Sequence, residues 1–304
     1  MSSNHELIQT ARRLALLATV ITPFLAPSPA TADSRSFCGM RFDFGRTPRL
    51  TVFGLTSDQR LVKFEECNPR RLRKVGAVSG LQDDDTVLVG IDFRVQDREL
   101  YGLGDGGGIY TIDTRTAEAF KVTELTVDLQ GGAFGVDFNP AANALRIISD
   151  TGQNLRHPFA GPLLFQTQID MPLNYTPGTN ATGVTGAAYT NNDLDAATST
   201  TLFDIDTNLD QVAIQSPPNN GSLVATGLLN VDADATVGFD IYTRLREGVA
   251  VANNAFATLV VAGRTGFYRV NQLAGTAILI DNFSRDKTDD FSDPVIDIAI
   301  PLKQ

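Results

Sequence analysis

Four aspartates stand at matching positions of a repeated motif, and they are the residues of this chain best suited to chemistry. Three of them close a Gly-x-Asp triplet, and the four are Asp92, Asp137, Asp240 and Asp297. Carboxylate oxygens gathered at one spot are the ligands that Ca²⁺ prefers, and they also attract cationic ligands. The same carboxylates could instead accept hydrogen bonds from backbone N–H groups of their own repeats. The sequence leaves both interpretations open.

A second group of polar residues belongs to the most distinctive segments of the chain. It comprises Asn154, Arg156, Gln215 and Asn219. A guanidinium together with side-chain amides can bind carboxylates or sugars, so these are candidate ligand-binding residues. The segment 215–221 also contains Pro-Pro-Asn-Asn-Gly, which is typical of a turn in its own right. A structural role therefore remains the alternative.

Catalytic and zinc-binding residue types are scarce. The two histidines are His5 and His157, and His5 lies in the N-terminal segment that we expect to be removed. A Ser-His-Asp or Cys-His site would need His157, which precedes Pro158 in what we predict to be an exposed turn. No catalytic residue is predicted. This pattern favours a non-enzymatic scaffold that binds a ligand or protein, and the alternative is a metal-dependent hydrolase or lactonase-like enzyme.

Residues 1–32 have the pattern of a signal peptide. Arg12 and Arg13 precede the apolar run 14–25, and an Ala-Thr-Ala sequence ends at Ala32. The run is shorter than the roughly 20 residues that span a bilayer, and no later segment approaches that length. We expect cleavage near Ala32 and export to the periplasm or the cell exterior, with the general secretory and twin-arginine routes both open.

Charge and cysteine content limit the partners further. The formal net charge is −10, which disfavours nucleic acid and anionic membrane surfaces. We expect a monomer that binds an unidentified small ligand or protein. Cys38 and Cys67 could form a disulfide in an oxidising compartment, with two separate thiols as the alternative.

A repeat of about 50 residues organises residues 50–304, behind a lead-in over residues 33–49. Its copies open near Gly90, Gly135, Gly186, Gly238 and Val295, at spacings of 45, 51, 52 and 57 residues. Each copy has about four short β-rich runs separated by turn residues, which is typical of a propeller blade. The N-terminal three runs lack an opening strand, and residues 295–300 form an opening strand without a blade. We therefore predict an all-β propeller of five blades, closed by the C-terminal strand. Six blades or a β-sandwich are the alternatives.

Several segments resemble an exported bacterial family, the domain of unknown function 4394. They are residues 89–113, 134–140, 145–156, 188–192, 201–206 and 215–223. The resemblance spans roughly residues 50 to 300, and it implies a propeller-like fold without an assigned activity. Ser216 and His157 depart from the family pattern, which argues against a shared catalytic role for His157.

Overall fold

Twenty β-strands make up the regular structure in the computed structural model, which describes residues 49–195, 197–283 and 294–302. They form five antiparallel sheets of four strands each. In the described ranges the helical structure is a short 3-10 turn, Pro218–Asn220. No helix there is long and apolar enough to cross a membrane.

The first blade is assembled from both ends of the propeller sequence. Its strands are β20 (Val295–Ala299), β1 (Thr51–Thr56), β2 (Arg60–Glu65) and β3 (Asn68–Ala77), in that spatial order. Strands β20 and β1 run antiparallel, with Phe53 opposite Ala299 and Leu55 opposite Asp297. The predicted closure by the C-terminal strand is therefore confirmed.

The other four blades are each built from consecutive strands. The second blade contains β4 (Leu88–Phe93), β5 (Leu100–Gly104), β6 (Gly108–Ile112) and β7 (Ala119–Glu124). The third contains β8 (Phe134–Asn139), β9 (Ala144–Ser149), β10 (Asn154–Pro158) and β11 (Gln168–Ile169). The fourth contains β12 (Val184–Tyr189), β13 (Leu202–Asp206), β14 (Gln211–Gln215) and β15 (Leu223–Leu228). The fifth contains β16 (Val237–Arg246), β17 (Val249–Val261), β18 (Arg264–Val270) and β19 (Ala277–Asn282).

The innermost strands close a ring around the propeller axis. Strand β20 contacts β4, and the contacts continue through β8, β12 and β16 back to β20. Each blade thus has two neighbours. The prediction of a five-bladed propeller is confirmed, and the alternatives of six blades or a two-sheet sandwich are ruled out.

The hydrophobic core is divided among the five junctions between adjacent blades. The junction of the first and second blades, for example, packs Phe53, Leu55 and Leu61 against Ile91 and Phe93. Inner strands are buried on both faces, as in β12, whereas outer strands such as β7 alternate buried and accessible residues. This gradient explains why apolar runs mark the inner strands and mixed runs the outer ones.

Two predicted N-terminal features lie outside the described residues. They are the signal peptide over residues 1–32 and Cys38, the predicted disulfide partner of Cys67. Both stay predictions.

The inner strands approach so closely that some positions have no room for a side chain. A Cβ added at Gly238 on β16 would lie 2.6 Å from the Asp297 Cα on β20. At Gly135 on β8 it would lie 2.7 Å from the backbone nitrogen of Ala187 on β12. Gly135 and Gly238 are therefore required by the close approach of backbone at the axis.

We predict that Gly238→Ala lowers the free energy of unfolding by about 2 kcal/mol or more, because the added methyl group pushes two inner strands apart. The measurement is urea denaturation followed by circular dichroism. Gly132→Ala is the matched control, since its Cβ would meet only the Asp150 Oδ2 atom, at 3.9 Å. Equal losses in the two variants would contradict close packing at the axis.

Candidate functional site

The four repeated aspartates lie on four of the five inner strands. Asp92 is on β4, Asp137 on β8, Asp240 on β16 and Asp297 on β20, and all four are buried. One carboxylate oxygen from each of Asp92, Asp137 and Asp240 lies within 4.8 Å of the other two. We call these three residues the axial triad. The structure thus brings three of the four predicted cation ligands together.

Each aspartate also accepts a backbone hydrogen bond from the next blade. The carboxylate of Asp92 accepts the Phe138 N–H at 2.7 Å, and that of Asp137 accepts the Tyr189 N–H at 2.9 Å. Asp240 accepts the Ile300 N–H at 2.6 Å, and Asp297 accepts the Ile91 N–H at 2.7 Å. These bonds join neighbouring blades at the axis, so the repeated aspartates have a structural role whatever else they do.

The junction of the fourth and fifth blades is held by different hydrogen bonds, because Ala188 stands where the other inner strands carry aspartate. There the Asn192 side chain donates from Nδ2 to the Ile241 carbonyl at 3.0 Å. The Asn192 backbone N–H donates to Thr243 Oγ1 at 3.0 Å. A neutral amide therefore replaces a carboxylate in the degenerate repeat.

Burial raises the pKa values of all four carboxyls, and repulsion by neighbouring carboxylates adds to the rise for Asp92, Asp137 and Asp297. Desolvation is the main cause for Asp137, and the charges of Asp92 and Asp240 add to it. Burial raises the pKa of Asp240 to about 7. The pKa values of Asp92 and Asp297 rise well above the ordinary range, also chiefly through burial. Near neutral pH the group must therefore bind protons or a cation to avoid several adjacent buried charges.

The candidate ligand-binding residues surround a buried guanidinium between the third and fourth blades. Arg146 on β9 is 2 % exposed, and it donates to Asn154 Oδ1 at 2.6 Å and to Asn219 Oδ1 at 2.8 Å. It also forms an ion pair with Asp170 at 2.8 Å. Gln215 joins the group by donating from Nε2 to Asn154 Oδ1 at 3.3 Å. We call this set the guanidinium cluster.

Arg156 is the fourth predicted ligand-binding residue, and it also binds Asp170. Its guanidinium lies 3.2 Å from the Asp170 carboxylate, and its side chain is 26 % exposed. The four predicted residues therefore share one region, where Asn154, Gln215 and Arg156 donate to other groups of the protein. Arg146 and Asp170 were not among the predicted site residues, although an arginine between Leu145 and Ile147 in a fully buried strand is a signal of such a site.

Several buried acceptors on the fourth blade have no hydrogen-bond partner among the described residues. They include both carboxylate oxygens of Asp204, Gln215 Oε1 and Thr185 Oγ1. Burial raises the pKa of Asp204 well above its usual value, and the nearby charge of Arg146 opposes that rise. Buried polar atoms of this kind are ordinarily satisfied by internal water.

The prediction that His157 lies in an exposed turn is wrong. His157 is in strand β10, is fully buried, and stacks on Phe165. Its Nδ1 atom lies 3.0 Å from Thr167 Oγ1. The Pro158 that suggested a turn ends the strand instead, so the imidazole packs into the junction of the second and third blades.

Comparisons with known proteins identify a sequence family. The family model described as "Domain of unknown function (DUF4394)" matches residues 60–299. Among curated proteins, none matches this sequence significantly.

The solved structures that match this chain are distant from it in sequence. A protein of unknown function from Bacteroides thetaiotaomicron is 11% identical, with 84% of this chain and 65% of that chain covered and a TM-score of 0.43. An auxiliary nutrient binding protein from Bacteroides ovatus is 12% identical, with 57% of this chain and 46% of that chain covered and a TM-score of 0.38. The chain thus spans less than two thirds of the length of these structures.

We predict that Arg146→Leu lowers the free energy of unfolding by about 3–5 kcal/mol, because it removes the buried cation that pairs with the Asp170 carboxylate. Arg156→Gln is the control, since it removes the more accessible partner of the same carboxylate and should cost about 1 kcal/mol or less. Urea denaturation at pH 7 measures both. Similar losses would show that Arg146 has no special structural role.

We also predict that buried His157 makes the free energy of unfolding sensitive to acid. Burial lowers its pKa from 6.5 to about 4. The unfolded chain therefore binds a proton at a higher pH than the folded chain, and stability falls as pH falls from 6.5 to 4. The loss attributable to this residue should reach about 3 kcal/mol. His157→Phe should flatten this part of a plot of unfolding free energy against pH, and an unchanged slope would argue against a neutral buried imidazole.

Proposed function

The chain belongs to the DUF4394 family of unknown function, and we propose that it is a non-enzymatic binding scaffold whose propeller axis holds a Ca²⁺ ion. One observation carries this proposal. Three buried carboxylate oxygens from three different blades lie within 4.8 Å of one another.

The spacing of the axial triad suits calcium. Oxygen ligands lie about 2.3–2.6 Å from a bound Ca²⁺, so two ligands of one ion are at most about 5 Å apart. The triad oxygens meet this limit, since they lie within 4.8 Å of one another. Mg²⁺ needs shorter ligand distances and a stricter octahedral geometry. The residues present therefore fit calcium, with Asp92, Asp137 and Asp240 as the protein ligands.

Charge compensation supports the same conclusion. The pKa of Asp137 is raised by burial and by the neighbouring carboxylates, and backbone N–H groups provide the opposing effects on the triad. No Lys or Arg of residues 49–195, 197–283 and 294–302 forms an ion pair with the triad. A divalent cation would supply the missing positive charge and would bind three blades at once.

The enclosure of the triad favours a stabilising ion over a catalytic one. Asp92, Asp137 and Asp240 are 6 %, 2 % and 3 % exposed. A catalytic metal keeps a coordination position open to substrate, whereas a structural metal is closed. An ion at this depth would rigidify the ring, and ligands or proteins would bind the outer surfaces. An enclosed triad therefore favours a scaffold over a lactonase-like enzyme.

We further propose that the scaffold acts outside the cytoplasm, in the periplasm or beyond the cell. The arginine pair, the short apolar run and the Ala-Thr-Ala sequence before residue 33 support that location. Extracytoplasmic calcium-binding modules typically have weak sites, with Kd values of about 0.1–1 mM.

We predict that Ca²⁺ at about ten times its Kd raises the melting temperature of the chelator-treated protein by a few degrees, because a ligand at that excess contributes about 1.4 kcal/mol to stability. Differential scanning calorimetry with EDTA or with millimolar Ca²⁺ measures the shift. In Asp137→Asn the amide oxygen can still accept the Tyr189 N–H, while the charge is lost, so the calcium shift should largely disappear.

Asp204→Asn is the matched control, because Asp204 is equally buried but lies outside the triad. It should keep the calcium shift. A wild-type melting temperature that is the same in EDTA and in Ca²⁺ would overturn the cation site. Ester or lactone hydrolysis by the calcium-loaded protein, lost in Asp137→Asn, would overturn the non-enzymatic assignment.

A further inference from the structure

A basic pocket of about 200 Å³ opens on the first blade, away from the axial triad. Four cationic side chains line it, namely Arg49, Lys63, Arg71 and Arg73. They come from three consecutive parts of the sheet: the residues before β1, the strand β2 and the outer strand β3. Such a concentration of positive charge is unexpected in a chain whose formal net charge is −10.

Most of this charge is uncompensated by the described residues. Arg49 forms an ion pair with Glu65 at 3.0 Å, and Glu65 is the only acidic residue lining the pocket. Lys63, Arg71 and Arg73 form no ion pair with any residue of the described ranges. Three of the four cations are therefore available to an external anion.

The strand register makes this arrangement unfavourable for the protein alone. Lys63 on β2 is directly opposite Arg73 on β3. Like charges directly opposite each other on neighbouring strands are destabilising. An anion bound between the two side chains would turn the repulsion into two attractive contacts.

Protection of a sheet edge does not account for the cluster. Lysine and arginine on an edge strand discourage pairing with other chains, and β3 is an edge strand. Lys63, however, lies on the inner neighbour of that strand, and Arg49 precedes β1. The four cations converge on one pocket across the sheet, which is the arrangement expected of a binding site.

We propose that this pocket binds a small anionic group, a carboxylate or a phosphate, carried by a ligand in the surroundings of the protein. Arginine presents a planar fork that matches both groups, and Asn68 adds a side-chain amide to the lining. The pocket is smaller than the roughly 300–1,000 Å³ of sites that enclose a whole drug-sized ligand. It therefore receives the charged end of a ligand, and the remainder stays outside.

The test measures anion binding to the full-length mature protein by isothermal titration calorimetry, at low ionic strength and without added calcium. Inorganic phosphate and glucuronate are the two probes, and they distinguish a phosphate source from a sugar carboxylate. We expect saturable binding of at least one probe, weakened by added NaCl because exposed charges are screened. Absence of saturable binding for both probes would overturn the proposal.

Two sets of variants locate the binding. The combined substitutions Arg71→Gln and Arg73→Gln should weaken binding at least tenfold. The combined substitutions Arg115→Gln and Arg264→Gln change two exposed arginines on other blades and should leave binding unchanged. An equal effect of both pairs would overturn the site, because it would indicate attraction by overall charge only.

Charge reversal provides a readout that does not depend on a destabilised variant. Arg73→Glu places a carboxylate opposite Lys63, so it should abolish anion binding while raising the melting temperature in the absence of anions. Retained binding in this variant would overturn the proposal. Asp137→Asn should bind the anion as the wild type does, so failure of the axial calcium site and failure of this pocket can be distinguished.

Discussion

The hydrogen bond from a backbone N–H to an aspartate of the preceding blade is the interaction on which the ring depends. It occurs at four of the five junctions, for example between Asp92 and the Phe138 N–H. A carboxylate can reach a neighbouring backbone only where the inner strands nearly touch, and that approach leaves no room for a Cβ at Gly238. In the Gly-x-Asp motif, glycine allows neighbouring inner strands to approach closely, and aspartate accepts a hydrogen bond from the next strand.

The repeated aspartates also place several negative charges close together at the axis. Each added blade brings another carboxylate toward the same narrow space, so burial and repulsion raise the pKa of Asp137 well above its usual value. At the degenerate fourth blade, Ala188 brings no charge, and Asn192 bonds the fifth blade through a neutral amide instead. The ring therefore retains its junctions while limiting the number of adjacent negative charges.

Much of the architecture could be predicted from the sequence, because a blade repeats its glycines, aspartates and turns at regular spacing. The closing strand was predictable since an opening motif without a blade complemented a blade without an opening strand. Side-chain contacts between different repeats could not be predicted from the sequence. The partners of Arg146 come from segments as distant as Asn219, and sequence spacing carries no information on such pairs. His157 was misjudged because a following proline marks either a turn or the end of a strand. The convergence of Arg49, Lys63 and Arg73 likewise depends on strand register.

The construction of the first blade has a consequence for how the protein matures. Strand β20 is the last of the twenty strands in the described residues, yet it is the innermost strand of the sheet that contains β1. During synthesis, β1, β2 and β3 emerge before β20, so the inner edge of their sheet stays unpaired until β20 is available. The ring therefore cannot close before β20 has emerged. A circular permutant that begins at β20 and continues directly into β1 would remove this delay, since its first blade could form from one continuous segment.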